Sequence, residues 1–107
     1  MPAAEVVEVR TTLPDRDAAE HLAAGAVDSR LAACAQVSGP VSSWYRWKGV
    51  VEQATEWQCT FKTVRDRWPE LERFIRNHHP YDLPEIVMLP LSGSDPYLGW
   101  VTDEVAG

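Results

Sequence analysis

Two long extended runs meet at Lys48-Gly49, and this junction constrains the fold more than any other feature of the chain. From Val50 to Val64, Trp57, Cys59, Phe61 and Thr63 stand at every second position, so one side of a pleated strand carries them all. Before the junction, Val41 to Trp47 is rich in aromatic and β-branched residues. A short apolar run from Leu31 to Val37 leads into it, bent or broken at Gly39-Pro40. The pattern predicts a long, kinked strand, a reversal and a second long strand: a hairpin. Its reach exceeds what a four-stranded sheet in a chain of 107 residues needs.

Residues 5 to 13 alternate, with Val7, Val9, Thr11 and Leu13 on one side and Glu8, Arg10 and Thr12 on the other, as a half-buried strand does. Pro14-Asp15 offers a turn and a cap. From Asp17 to Leu31 apolar residues recur at Ala18, Leu22, Ala26 and at Ala19, Ala23, Val27, the spacing of a helix. Asp66 is expected to cap a second helix that takes Pro69 in its first turn, points Trp68, Leu71, Phe74, Ile75 and His78 inward and stops at Pro80. Pro84 to Leu91 reads as a short buried strand bounded by Pro90. Ser94-Asp95-Pro96 opens a last helix carrying Tyr97, Leu98, Val101 and Val105. The order β-α-β-β-α-β with a terminal helix defines an α+β, ferredoxin-like sandwich, a four-stranded antiparallel sheet with helices on one face.

That length gives one domain over residues 1–107 with a modest core. A hydrophobic content of 45% with five tryptophans is rich for the size, so aromatic surface on the hairpin is expected to be buried between subunits. A formal charge of -6 opposes nucleic acid and anionic lipid, which both need a basic face. Met1-Pro2-Ala3-Ala4-Glu5 has no basic or apolar run, and no stretch is long enough to cross a bilayer, so the protein is expected in the cytoplasm. Cys34 and Cys59 are too far apart for a CxxC site and are expected as free thiols.

Chemistry concentrates in His79-Pro80-Tyr81-Asp82-Leu83-Pro84-Glu85-Ile86, where two prolines stiffen a turn that carries an imidazole, a phenol and two carboxylates. Rigid presentation suits a ligand site, and equally a helix-to-strand connection without chemistry. The Thr12-Leu13-Pro14-Asp15-Arg16 loop lacks the glycines of a phosphate cradle and sets an acid beside its only arginine, which excludes an acylphosphatase. No nucleophile-elbow or Cys-His signature supports hydrolysis. Cys34, Cys59, His78, His79 and Glu85 are thiolate, imidazole and carboxylate donors of the kinds copper and zinc prefer, though no spacing among them defines a site.

Arg30-Leu31-Ala32-Ala33-Cys34, Tyr45-Arg46-Trp47-Lys48-Gly49, Phe61-Lys62-Thr63, His79-Pro80-Tyr81 with Pro84-Glu85-Ile86, and Pro96-Tyr97-Leu98 with Trp100 together resemble the CutA divalent-cation tolerance family nearly end to end. The resemblance implies a non-enzymatic homotrimer whose long hairpins pair across subunits, and a role in tolerance of divalent metals, above all copper, bound as Cu(II) or another divalent ion between subunits. It transfers metal-donor roles to Cys34, His79 and Glu85. Tyr45, Trp47, Lys62 and Tyr81 match further motif positions. Cys59 and His78 depart from the pattern, inherit no role and could add ligands. Two other readings stand beside this one. In the first, a trimeric module resembling PII regulators holds a small-molecule anion or a protein in inter-subunit clefts through Arg46, Lys48 and Lys62. In the second, the trimer is a scaffold without a specific ligand.

Overall fold

The computed structural model describes residues 5–107, so the expectation for Met1 to Ala4 lies outside the described residues. Strand β1 (Val6–Leu13) leads to helix α1 (Arg16–Asp28), then to the hairpin strands β2 (Cys34–Trp47) and β3 (Val50–Val64). A single 3-10 turn at Arg65–Arg67 leads into α2 (Trp68–His78), which is followed by β4 (Ile86–Pro90) and α3 (Asp95–Val105). The four strands form one antiparallel sheet in the order β2-β3-β1-β4, the α+β arrangement expected from the order of elements. β1 lies in the middle because β3 and β4 pair with its two edges.

The period-two pattern sets the layers. Val7, Val9 and Leu13 of β1 and Cys59 and Phe61 of β3 point to the side covered by α1 and α2, where Leu22, Ala26, Leu71 and Ile75 complete the main core. Asp15 caps α1, its carboxylate accepting from the Ala18 N–H at 2.8 Å. The helix stops at Asp28, short of the expected Leu31, because Arg30 turns to a φ of 61° and the Leu31 and Ala32 N–H groups both fold back onto Ala26 O.

Four further expectations need correction. The terminal helix does not join the other two: α3 lies on the opposite face, where Val101 and Val105 pack on Val6 and Val64 in a second, smaller core. Strand β4 begins at Ile86 because Pro84, without an N–H, stays in the turn. It is an edge strand with Val87 exposed, not a buried one. Asp66 makes no cap; it sits in the 3-10 turn, and Arg67 holds the N-cap position while its guanidinium donates to Val105 O at 3.0 Å, tying α2 to α3. His78 is exposed, its ring N–H bonded to Phe74 O at 2.8 Å, so it does not belong to the inward stripe.

β1 accompanies β3 only as far as the Leu13–Trp57 pair, and beyond it Val41 to Glu56 is a two-stranded ribbon. This ribbon accounts for a molecule 50 Å long but only 24 by 22 Å across. Lys48 and Gly49 turn its tip with φ of 50° and 82°, the positive angles that a tight two-residue hairpin requires. At its base the register slips between Ser38 and Val41, a bulge at Gly39-Pro40 that bends β2.

Between the two cores, Thr63 is fully buried and its hydroxyl donates to Leu31 O at 2.7 Å. Thr63→Val keeps the shape and orphans that carbonyl, so a loss of about 1–3 kcal/mol is expected from urea unfolding, against almost none for Thr60→Val on the same strand.

Candidate functional site

Helix α2 ends at His78 because Pro80 holds His79 extended, at φ −89° and ψ 137°. The His79 side chain then turns back to β1. Its Nε2 lies 2.8 Å from Thr12 O and 3.1 Å from Thr11 Oγ1, while Nδ1 lies 3.2 Å from the Tyr81 backbone nitrogen. A carbonyl only accepts and an amide only donates, so Nε2 carries the proton and Nδ1 holds the lone pair: the neutral imidazole has both nitrogens in use. Burial lowers its pKa, against the opposing pull of the Thr12 carbonyl and of Glu56.

The ring is therefore neutral in the fold and takes its proton more readily once unfolded. Below the ordinary value of 6.5 the unfolded chain binds more protons, so stability is expected to fall as pH drops through 6.5 and to level off below the lowered pKa of the fold. His79→Gln, whose amide can also donate and accept, is expected to flatten this part of a pH series of thermal midpoints. An unchanged slope would remove His79 as its source.

Anchored by this ring, the turn from Pro80 to Glu85 faces the ribbon across a cleft of about 850 Å³, walled by Trp44, Tyr45 and Trp47 on one side and Tyr81 and Glu85 on the other. Glu56 closes its inner end. The residue is only 8% exposed, and its Oε2 accepts from the Tyr81 hydroxyl at 2.8 Å. Burial first, and then the bond to Glu56, push the Tyr81 phenol far up, so it stays protonated and remains a donor.

Cys34 lies elsewhere. It opens β2 in register with Lys62, which pairs with Glu8 of β1, and its Sγ is 3.4 Å from the Tyr97 hydroxyl of α3, a contact that raises the Tyr97 pKa to about 12. Glu8 and Thr12 are roughly 13 Å apart along β1 and Cys34 stands two strands away, so Cys34 and His79 do not meet within one chain. His79 and Glu85 share one turn, with Glu85 exposed on the cleft. Among the described residues no group of three or more His, Cys, Asp or Glu side chains is placed to hold a metal ion. Cys59 is fully buried in the main core, where desolvation raises its thiol pKa to about 12, so it is a packing residue.

The cations of the anion reading are dispersed. Lys62 Nζ is 3.1 Å from Glu8 Oε1, Arg46 donates to Gly49 O at 3.3 Å, and Lys48 sits at the ribbon's tip. Burial raises the Glu8 pKa, but the bonds from Arg10 and Lys62 outweigh it and leave the carboxyl below its ordinary range.

Residues 7–104 match the family model described as CutA1 divalent ion tolerance protein. The chain belongs to the CutA1 family. It is 38% identical to mouse "Protein CutA" over 91 residues, which is 84% of this chain and 51% of the relative, so it spans about half the length of that relative. The solved divalent cation tolerance protein (Cut A1) of Thermus thermophilus superposes with a TM-score of 0.90 at 35% identity, over 92% of this chain and 97% of the other. The CutA of Archaeoglobus fulgidus, described as a periplasmic divalent cation tolerance protein, does so with a TM-score of 0.90 at 28% identity, over 94% and 99%. In this CutA1 chain no described helix is long and apolar enough to cross a membrane.

Thr12 and Glu56 belong to the site and sequence reasoning missed both. Thr12 contributes a backbone carbonyl, which leaves no trace in residue type. Glu56 is buried by Tyr81, 25 residues further on, and no local periodicity reports a contact at that separation.

Proposed function

We propose that this chain acts in divalent-cation tolerance by binding a divalent ion, copper foremost, without turning over a substrate. What supports the reading is membership of a family described by divalent ion tolerance, over nearly the whole chain. Because Cys34 and the His79–Glu85 turn are separate within one chain, the metal donors come from different subunits of a homotrimer, with Trp44, the most exposed of the hairpin aromatics, as the natural contact surface. Glu85 is exposed, and Cys34 is half-buried with the Tyr97 hydroxyl beside its sulfur. His79 joins the set only by giving up its bond to Thr12 O or to the Tyr81 N–H. Imidazole and carboxylate suit Cu(II), and the thiolate draws the site toward Cu(I) or zinc. The reading places the protein in the cytoplasm, in keeping with two free thiols, whereas the archaeal relative is described as periplasmic.

Titration calorimetry of the metal-free protein with Cu(II), Zn(II) and Mn(II), with subunit mass from light scattering, tests this. The expected result is a mass of three chains and copper bound at an integral number per trimer, with affinity reduced about tenfold or more in Cys34→Ala/Glu85→Gln. Copper binding that survives this double variant, and also Cys34→Ala/His79→Ala, would overturn the donor set.

A further inference from the structure

A carboxylate without a countercharge closes the inner end of the cleft. Glu56 is more than nine-tenths buried, yet among the described residues no lysine, arginine or histidine forms an ion pair with it. One oxygen is bonded to the neutral Tyr81 hydroxyl, and among the described residues the other has no hydrogen-bond partner. It is not sealed off either, since no fully buried side-chain oxygen or nitrogen there lacks a partner; Oε1 therefore reaches the cleft. A carboxylate that meets the cleft through one oxygen and has no countercharge beside it attracts a cation, the more so where the surroundings are partly desolvated.

The walls suit such a cation. Tyr45 and Trp47, which share one face of the ribbon with Glu56, and Tyr81 on the turn supply aromatic rings, and Asp82 and Glu85 add negative charge to the rim. Among the described residues Arg46 is the one basic residue in the lining, and its guanidinium is bonded to Gly49 O at the ribbon's tip. Aromatic faces attract cations through the ring quadrupole, and the attraction is largest for weakly hydrated organic cations in a partly desolvated site. An inorganic divalent ion would instead demand several oxygen or nitrogen donors converging on one point, which these walls do not supply.

We propose that the cleft between the hairpin and the Pro80–Glu85 turn binds a small organic cation, a quaternary ammonium or protonated amine, with Glu56 as its counterion and the ring faces of Tyr45, Trp47 and Tyr81 as its walls. The site does not rest on the metal reading. Glu85 is the only residue common to both, and it lies on the rim rather than beside Glu56. A cleft of this volume holds a ligand of about ten non-hydrogen atoms with room to spare.

The experiment uses the whole protein in its native assembly, stripped of metal with EDTA, and follows indole NMR signals and tryptophan fluorescence. The probes are choline, n-butylammonium and 3,3-dimethylbutan-1-ol, the neutral carbon isostere of choline. Choline is expected to saturate and to shift the Trp47 indole far more than that of Trp44, which lies on the other face of the ribbon, with the isostere weaker by about tenfold or more, a difference of about 1.4 kcal/mol. Glu56→Gln is expected to abolish this preference, and Asp82→Asn to reduce it less. Equal binding of choline and its isostere, an unchanged preference in Glu56→Gln, or the lack of any saturable shift would each overturn the proposal. Should Glu56→Gln not fold, the comparison of choline with its isostere on the parent protein decides alone. Because EDTA is present throughout, loss of the metal reading leaves this result standing, and the reverse holds as well.

Discussion

Phe61→Ala is expected to lower the free energy of unfolding by about 3–5 kcal/mol. Phe61 is fully buried, the largest of the fully buried side chains, and it lies at the centre of the sheet with Val9 on one side and Ala35 on the other. Its ring belongs to the same core as Leu22 of α1 and Leu71 and Ile75 of α2, so truncation opens a cavity against three elements at once. The residual void costs more than the lost transfer energy alone, because neighbours fixed in a sheet and two helices relax only partly. Small domains are stable by about 5–15 kcal/mol, so the substitution removes a large share of the total. Urea midpoints at one fixed protein concentration give the number, since assembly otherwise adds a concentration dependence. A loss below about 1.5 kcal/mol would mean that the core is centred elsewhere.

Gly39→Ala should come next, at on the order of 3 kcal/mol. Gly39 has a φ of +154°, which side chains rarely adopt, and an added Cβ would lie 2.8 Å from the Trp57 ring and 3.2 Å from Glu56 O. The ring is half-buried against the main core and the carbonyl is backbone, so neither retreats cheaply. The effect is directional as well as large. Pushing Trp57 aside disturbs the bulge that bends β2, and with it the angle at which the ribbon leaves the sheet, so the tryptophan emission should shift along with the midpoint. Gly49→Ala makes the useful contrast: the added methyl has nothing within 4 Å, and only the φ of 82° opposes it. Equal losses in the two variants would show that the backbone angle alone, and not the Trp57 contact, sets the cost.

Most of the fold could be read from the chain because β1 and β3 each bury one side of a pleat, and burial of one side writes itself into residue type at every second position. The side taken by α3 could not be read so directly. Val101 and Val105, one turn apart, show that the helix buries a stripe, but periodicity is silent on what that stripe meets. The signal lay in the doublets Val6-Val7 and Thr63-Val64, since neighbouring buried residues on a strand mean that both faces are covered at that point. Strand order was equally hidden, and with it the exposure of β4, because hydrogen bonding between strands leaves little mark on side-chain type. The site was legible as an inventory and not as a geometry. Cys34, His79 and Glu85 came from resemblance, and it is the register of β2 on β3 and of β3 on β1 that sets the first of them apart from the other two.

An amide in the middle of a sheet is shielded from deuterium by the stability of the whole domain, but an amide in a ribbon of two strands is shielded only by the ribbon. From Val41 to Glu56, among the described residues, no other strand pairs with the outer edges of β2 and β3 to slow their opening. Exchange rates there consequently act as a gauge of company. In a lone subunit these amides should exchange long before those of β1, and wherever they are found to be slow, another chain is holding them.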